Sequence, residues 1–198
     1  MRNHKVLIVV ILLIALTLSF GLCFADMWEP YQFEPMDQYY DYRITSFENA
    51  QDENAEPKIS KYELTIDQQD EGLEISVQTT WMAAEGELGS EILGGWWAAG
   101  AFGLTMAFIN PMYAAFFGGL DLYEGNKMSF FGAGVVEVIG TEIVAGQSGF
   151  VCEFRTEDGG PVLGRYIVNA SIPLPLKTEL FEEDGTLQFR TELLNIEM

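Results

Sequence analysis

From Lys58 onward the chain alternates apolar and polar side chains with a period of two, and this rhythm constrains the fold more than any other feature. Tyr62, Leu64 and Ile66 alternate with Glu63, Thr65 and Asp67. After Asp70-Glu71-Gly72 the same rhythm resumes in Leu73, Ile75, Val77, Thr79 and Trp81. Successive side chains of a strand point to opposite faces, so each run buries one face and wets the other. The pattern returns in Phe150, Cys152 and Phe154, then in Tyr166 and Val168 after Asp158-Gly159-Gly160. It recurs in Leu174, Leu176, Thr178 and Leu180, and beyond Asp184-Gly185 in Leu187, Phe189 and Leu193. Short polar turns between such runs predict hairpins. The fold class that follows is mainly β (α+β), a curved antiparallel sheet or half-barrel whose apolar face needs a cover. Pro173 and Pro175 stand at the head of one run and point to an edge strand, where a missing N–H is tolerated.

The N-terminal 25 residues follow a different rule. Arg2 and Lys5 precede an uncharged run from Val6 to Phe20, the charge order of a cleavable secretory signal peptide. Cys23 and Ala25 stand three and one positions before a cut at Asp26, where the composition turns acidic. A lipoprotein signal would retain Cys23 as a lipidated first residue, but Leu22 is bulky where such signals carry a small one. An uncleaved anchor would need about 20 apolar residues, more than this run supplies. The mature protein is thus expected outside the cytoplasm, periplasmic or extracellular. Its organisation reads as an acidic, partly irregular arm over 26–56, with one strand from Tyr39 to Phe47, and an antiparallel β domain over 57–198. Into that domain a helical segment is inserted at about 84–120.

Loss of the signal removes chemistry. His4 is the single histidine and Cys23 one of two cysteines, so the mature chain keeps Cys152 alone. Ser-His-Asp and Cys-His nucleophiles, a histidine base and a zinc site of His or paired Cys all lack their parts. An internal disulfide lacks its second half as well. Cys152 shares a strand face with Phe150 and Phe154 and reads as a small buried hydrophobe. No P-loop occurs, and Gly132-Ala133-Gly134 lacks the third glycine of a dinucleotide loop. Asp67-Gln68-Gln69-Asp70-Glu71-Gly72 does not match a calcium loop. No catalytic residue, cofactor or metal ligand is therefore assigned. Carboxylates are the remaining acid–base groups, and alternation places Glu137, Glu142 and Glu153 on the outer face. A carboxylate hydrolase stays open only as a class.

Charge sets a further bound. The signal carries two basic and no acidic residues, so ten basic and thirty acidic residues become eight and thirty, a net charge of −22. Nucleic acid, which is bound through Lys and Arg patches, is an unsuited partner. An anionic membrane surface is disfavoured for the same reason. Asn169-Ala170-Ser171 is a glycosylation acceptor only in a cell that glycosylates exported proteins.

From Ile92 to Leu120 the alternation stops and no charged residue occurs. Gly95, Ala99, Gly103 and Ala107 recur every four residues, a flat stripe on one side of a helix, with Trp97, Leu104 and Phe108 on a bulky side. Asn110-Pro111 ends or kinks it, and Met112 to Phe117 reads as a second short helix. As a transmembrane helix, Ile92 to Ile109 would have 18 uncharged residues. One crossing, however, would place the strands before and after it on opposite sides of a bilayer. No basic residue between Lys61 and Lys127 sets an orientation either. A hairpin packed over the sheet is the favoured reading, and a re-entrant hairpin dipping into a membrane is its variant. Candidate lining residues for an apolar ligand are Trp81, Trp96, Trp97, Phe102, Leu104, Phe108, Tyr113, Phe116 and Phe117. The partner these imply is a hydrophobic small molecule or lipid. The alternative is a membrane or membrane protein on which the 92–120 segment docks.

A signal peptide, inserted apolar helices and a closing hairpin form a recognisable outline. The hairpin runs from Gly164-Arg165-Tyr166-Ile167-Val168 to Pro173-Leu174-Pro175-Leu176-Lys177, with Asp184-Gly185 and a last strand behind it. This outline, over the final two thirds of the chain, resembles the periplasmic lipoprotein-carrier superfamily of half-barrels with a helical lid. The resemblance implies a non-enzymatic holder of lipid or lipoprotein. The chain departs from that pattern in its acidity and its single long insert, so no lid contact is carried over.

Overall fold

A computed structural model describes residues 26–30, 32–47, 56–82, 117–130 and 134–198. The 1–25 segment expected to be a signal peptide lies outside them, as does most of the 84–120 insertion. Among the described residues the chain is built from strands. These are β1 (Asp26–Met27), β2 (Gln38–Ser46), β3 (Lys58–Gln69), β4 (Gly72–Trp81), β5 (Asp121–Leu122), β6 (Lys127–Phe130), β7 (Gly134–Val144), β8 (Gln147–Arg155), β9 (Val162–Val168), β10 (Lys177–Phe181) and β11 (Leu187–Glu197). Nine form one sheet in the order β4-β3-β2-β11-β10-β9-β8-β7-β6, and β1 pairs with β5 apart from it. Every pairing is antiparallel. The antiparallel sheet expected from the alternation is therefore present, with hairpins at the predicted turns. Among the described residues no helix is long and apolar enough to cross a membrane.

Turn chemistry fixes several of these registers. β7 and β8 are joined by Ala145-Gly146, with φ of 48° and 77°, so that Val144 faces Gln147. Positive φ at both central residues marks the turn whose twist matches a hairpin. The sheet curls strongly, because β11 and β7 come into contact across the three strands between them. One face thus becomes concave. The chain from Ile172 to Leu176 folds back over that face and is buried throughout. It is anchored by the Tyr42 hydroxyl, which donates to Pro175 O at 2.9 Å. On the other face of β8, which Gly149 shares with Val151 and Glu153, a Cβ on Gly149 would lie 2.9 Å from Leu176 Cδ1 and 2.6 Å from Ile167 Cγ2.

That return corrects one expectation. Leu174 and Leu176 do not belong to a strand; β10 begins at Lys177 and lies inside the sheet between β9 and β11 rather than at an edge. Proline cannot donate to a ladder. Here Pro173 and Pro175 sit in irregular backbone buried on all sides, and Pro-Leu-Pro-Leu imitates a period of two without forming a strand.

Among the described residues two clusters make the core. One joins Tyr40, Tyr42, Tyr62, Leu64 and Ile66 of β2 and β3 to the 172–176 return. The other packs Trp28, Phe117 and Leu120 onto Val136, Val138, Cys152 and Tyr166 of β7 to β9.

Candidate functional site

Cross-strand register shows where the concave face is closed and where it opens. One row runs from Val138 through Cys152, Tyr166, Thr178, Thr191, Ile44 and Ser60 to Trp81. It is buried from Val138 to Ile44 and ends on Trp81 at 42% exposure. The neighbouring rows repeat this. Tyr40 and Leu64 are buried, and Val77 beside them is 56% exposed. Ile66 is buried, and Ile75 beside it is 63% exposed. Leu73 continues the same face of β4, also exposed. Among the described residues the concave face therefore runs from core onto an exposed, largely apolar face of edge strand β4. Exposed apolar side chains grouped on one strand face make it a candidate binding surface.

The closed end is held by aromatic side chains from distant parts of the chain. Trp28 Nε1 donates to Ile172 O at 2.7 Å, and its ring meets Phe117 edge-on at 5.0 Å. Phe117 in turn meets Tyr166 edge-on at 5.7 Å. Ring quadrupoles favour edge-to-face contacts of this kind. Burial pushes the Tyr40 and Tyr166 phenols up to about 12 and the Cys152 thiol up to about 12. The thiolate, the nucleophilic form, is thereby suppressed.

The convex face carries a ladder of charge one residue away in every strand. Lys127, Glu137, Glu153, Arg165, Glu179 and Arg190 stand opposite one another across six strands. Arg165 reaches Glu153 at 2.8 Å and Glu179 at 3.7 Å, and Arg190 reaches Glu179 at 2.8 Å. Glu137 and Glu153 face each other directly, and Arg155 bridges them. Glu153 and Glu179 are buried under these guanidinium groups. Lys177 holds Glu142 at 3.1 Å. Glu137, Glu142 and Glu153 are thus bound by cations on the outer face.

No protein-family model matches the sequence, and no curated protein does. Among solved structures, the chain is similar to MucB of Pseudomonas aeruginosa in complex with MucA. Identity is 14% and TM-score 0.40, over 81% of this chain and 51% of that one. A Bacteroides fragilis protein described as exported, with a YmcC-like fold, is 12% identical with a TM-score of 0.32, over 87% of this chain and 100% of that one. A Vibrio parahaemolyticus domain described as part of an outer membrane lipoprotein-sorting protein is 10% identical with a TM-score of 0.25, over 83% and 86%. The chain spans about half the length of the MucB chains it matches.

Of the nine candidate lining residues, two lie among those described. Trp81 sits on the open platform. Phe117 is wholly buried against Trp28 and Tyr166. Trp96, Trp97, Phe102, Leu104, Phe108, Tyr113 and Phe116 lie outside the described residues. Sequence reasoning overlooked Ile75 and Val77 as site residues, although they share the alternation that singled out Trp81. It also overlooked Trp28, whose only signal was an aromatic in an arm read as irregular.

Proposed function

We propose that this is an exported, non-enzymatic protein that holds an apolar ligand, lipid or the acyl part of a lipoprotein, on the concave face of its sheet. The observation that carries this reading is the uncovered platform of Leu73, Ile75, Val77 and Trp81, continuous with the core. Apolar surface left in water at this density is stabilised by whatever covers it, at about 25 cal/mol per Å2. Export is supported by the charge order of residues 2–20. Delipidated mature protein should bind a fluorescent fatty-acid probe saturably, and Ile75→Glu with Val77→Glu should weaken binding at least tenfold. Wild-type protein that leaves the probe unbound would sink the reading.

A second reading has its own observation, since among the described residues β4 is an edge strand of the sheet, hydrogen-bonded to β3 on one side only. An envelope protein could add a strand there, with its apolar side chains covering Ile75 and Val77. Retention of mature protein in the membrane fraction, lost in the same double variant, would favour docking over carriage.

A further inference from the structure

Away from the β4 platform, a cavity of about 200 Å3 lies where the N-terminal arm, the start of the 170–176 return and the end of β11 converge. Three of its ten lining residues are methionines, Met27, Met36 and Met198. At the chain's overall frequency, eight in 198, fewer than one would be expected. All three are about half exposed, so they do not serve the core. Their backbones are nonetheless held. Met27 is held in register against Asp121, the Met36 amide donates to Glu34 O at 2.9 Å, and Met198 follows Glu197, which pairs with Tyr39. Met198 Sδ stands 4.0 Å from the Tyr40 hydroxyl, which donates to Gln38 Oε1 at 2.6 Å.

The remaining lining tells what the thioethers are for. Glu29 and Glu34 share the cavity with them. An apolar ligand gains nothing from two carboxylates, whereas a cation does. Hard and borderline ions need oxygen, nitrogen or thiolate ligands, and among the described residues no group of three or more His, Cys, Asp or Glu is placed to hold one. Thioethers instead select soft ions. They also need no deprotonation and form no disulfide, so they stay competent in an oxidising compartment.

We propose that Met27, Met36 and Met198 form a binding site for a soft monovalent cation, Cu(I) or Ag(I), with Glu29 and Glu34 neutralising its charge. The site is independent of the apolar platform. Cys152, the one cysteine beyond residue 25, is wholly buried and its thiolate suppressed, so it does not compete.

Ag(I), which is redox-inert, is the probe. Titrated calorimetrically in chloride-free buffer into the mature chain, it should bind with one equivalent, and Cys152→Ala should leave the isotherm unchanged. Replacing Met27, Met36 and Met198 together by Leu should weaken binding at least tenfold. On wild-type protein labelled at its methionine methyls, the Met27, Met36 and Met198 resonances should move with Ag(I) while those of Met82 and Met128 stay. That readout decides the matter even if the triple variant folds poorly. A wild-type protein that does not bind Ag(I), binding undiminished in a folded triple variant, or shifts confined to other methionines would each overturn the proposal.

Discussion

The two ends of the sheet share one sequence pattern and differ in fate. At the β7–β9 end the concave face is covered by Trp28, Phe117 and Leu120, and the convex face is locked by the charge ladder. At β4 the concave face is as apolar, with Leu73, Ile75, Val77 and Trp81 in the same alternation, yet it stays open. Alternation therefore specifies which side of a strand is apolar and not whether that side becomes core. The second layer decides, and it comes from segments without alternation. Each Ile or Val left in water forgoes about 1.5–3 kcal/mol relative to full burial. A ligand that covered β4 would recover part of this against the cost of association.

Alkali should unfold the protein through buried phenols in both core clusters, Tyr40 on β2 and Tyr166 on β9, and is the largest expected effect. The phenols of Tyr40 and Tyr166 ordinarily titrate near 10.0, and in the fold both are pushed up to about 12 by burial. The Cys152 thiol moves from 9.0 to about 12 for the same reason. Folded values raised above unfolded ones mean that stability is fully present below the unfolded values and is lost as pH rises through the folded ones. The urea midpoint should hold up to about pH 9 and fall steeply between 10 and 12. Ionisation absorbance of the buried tyrosines should appear together with loss of circular dichroism. Full tyrosine ionisation in a still-folded protein would show that both clusters are wet, and ionisation of Tyr166 alone that only the β7–β9 end is.

Truncation compares the two ends directly. Phe117→Ala removes a wholly buried ring that touches both Trp28 and Tyr166, and should cost about 3–5 kcal/mol in urea unfolding. Ile75→Ala should cost far less, since its side chain is 63% exposed. Equal losses would mean that β4 is covered as thoroughly as β7, and would remove the basis for a ligand there.

How much of this could be read beforehand follows from the same contrast. The strand pairs β3–β4, β8–β9 and β10–β11 were legible because turn residues and a period of two agree in each. Cys152 was legible as core from its two phenylalanine neighbours. β1 and β5, two residues each, are too short to carry any period. Trp28 was not legible because its role depends on a partner 144 residues away, the Ile172 carbonyl. The prolines misled because a segment buried on every side has no polar face to betray it. On the exposed face of β4, Trp81 was named as a candidate from the sequence while Ile75 and Val77 were not. No local signal separates an alternating strand that meets a second layer from one that does not.

The convex ladder gives the finest comparison, because distance and burial there point in opposite directions. Lys127 meets Asp158 at 2.7 Å, and Arg165 meets Glu153 at 2.8 Å, so geometry alone would rank the first pair higher. Asp158, however, has 71% of its side chain in water and Glu153 only 6%. An exposed pair trades solvation for attraction at little net gain. Removing one member of a buried pair strands its partner in a poor solvent, ordinarily at 3–5 kcal/mol. The ladder softens that loss, since Arg155 keeps Glu137 and Arg165 keeps Glu179. Glu153→Ala should therefore cost about 2 kcal/mol, below the usual range. Asp158→Ala should leave the urea midpoint within error, and high salt should erase whatever difference it makes while leaving most of the Glu153 loss in place. Equal responses at the two positions would mean that the guanidinium groups do not shield the buried carboxylate, and that the convex face is an ordinary solvated surface.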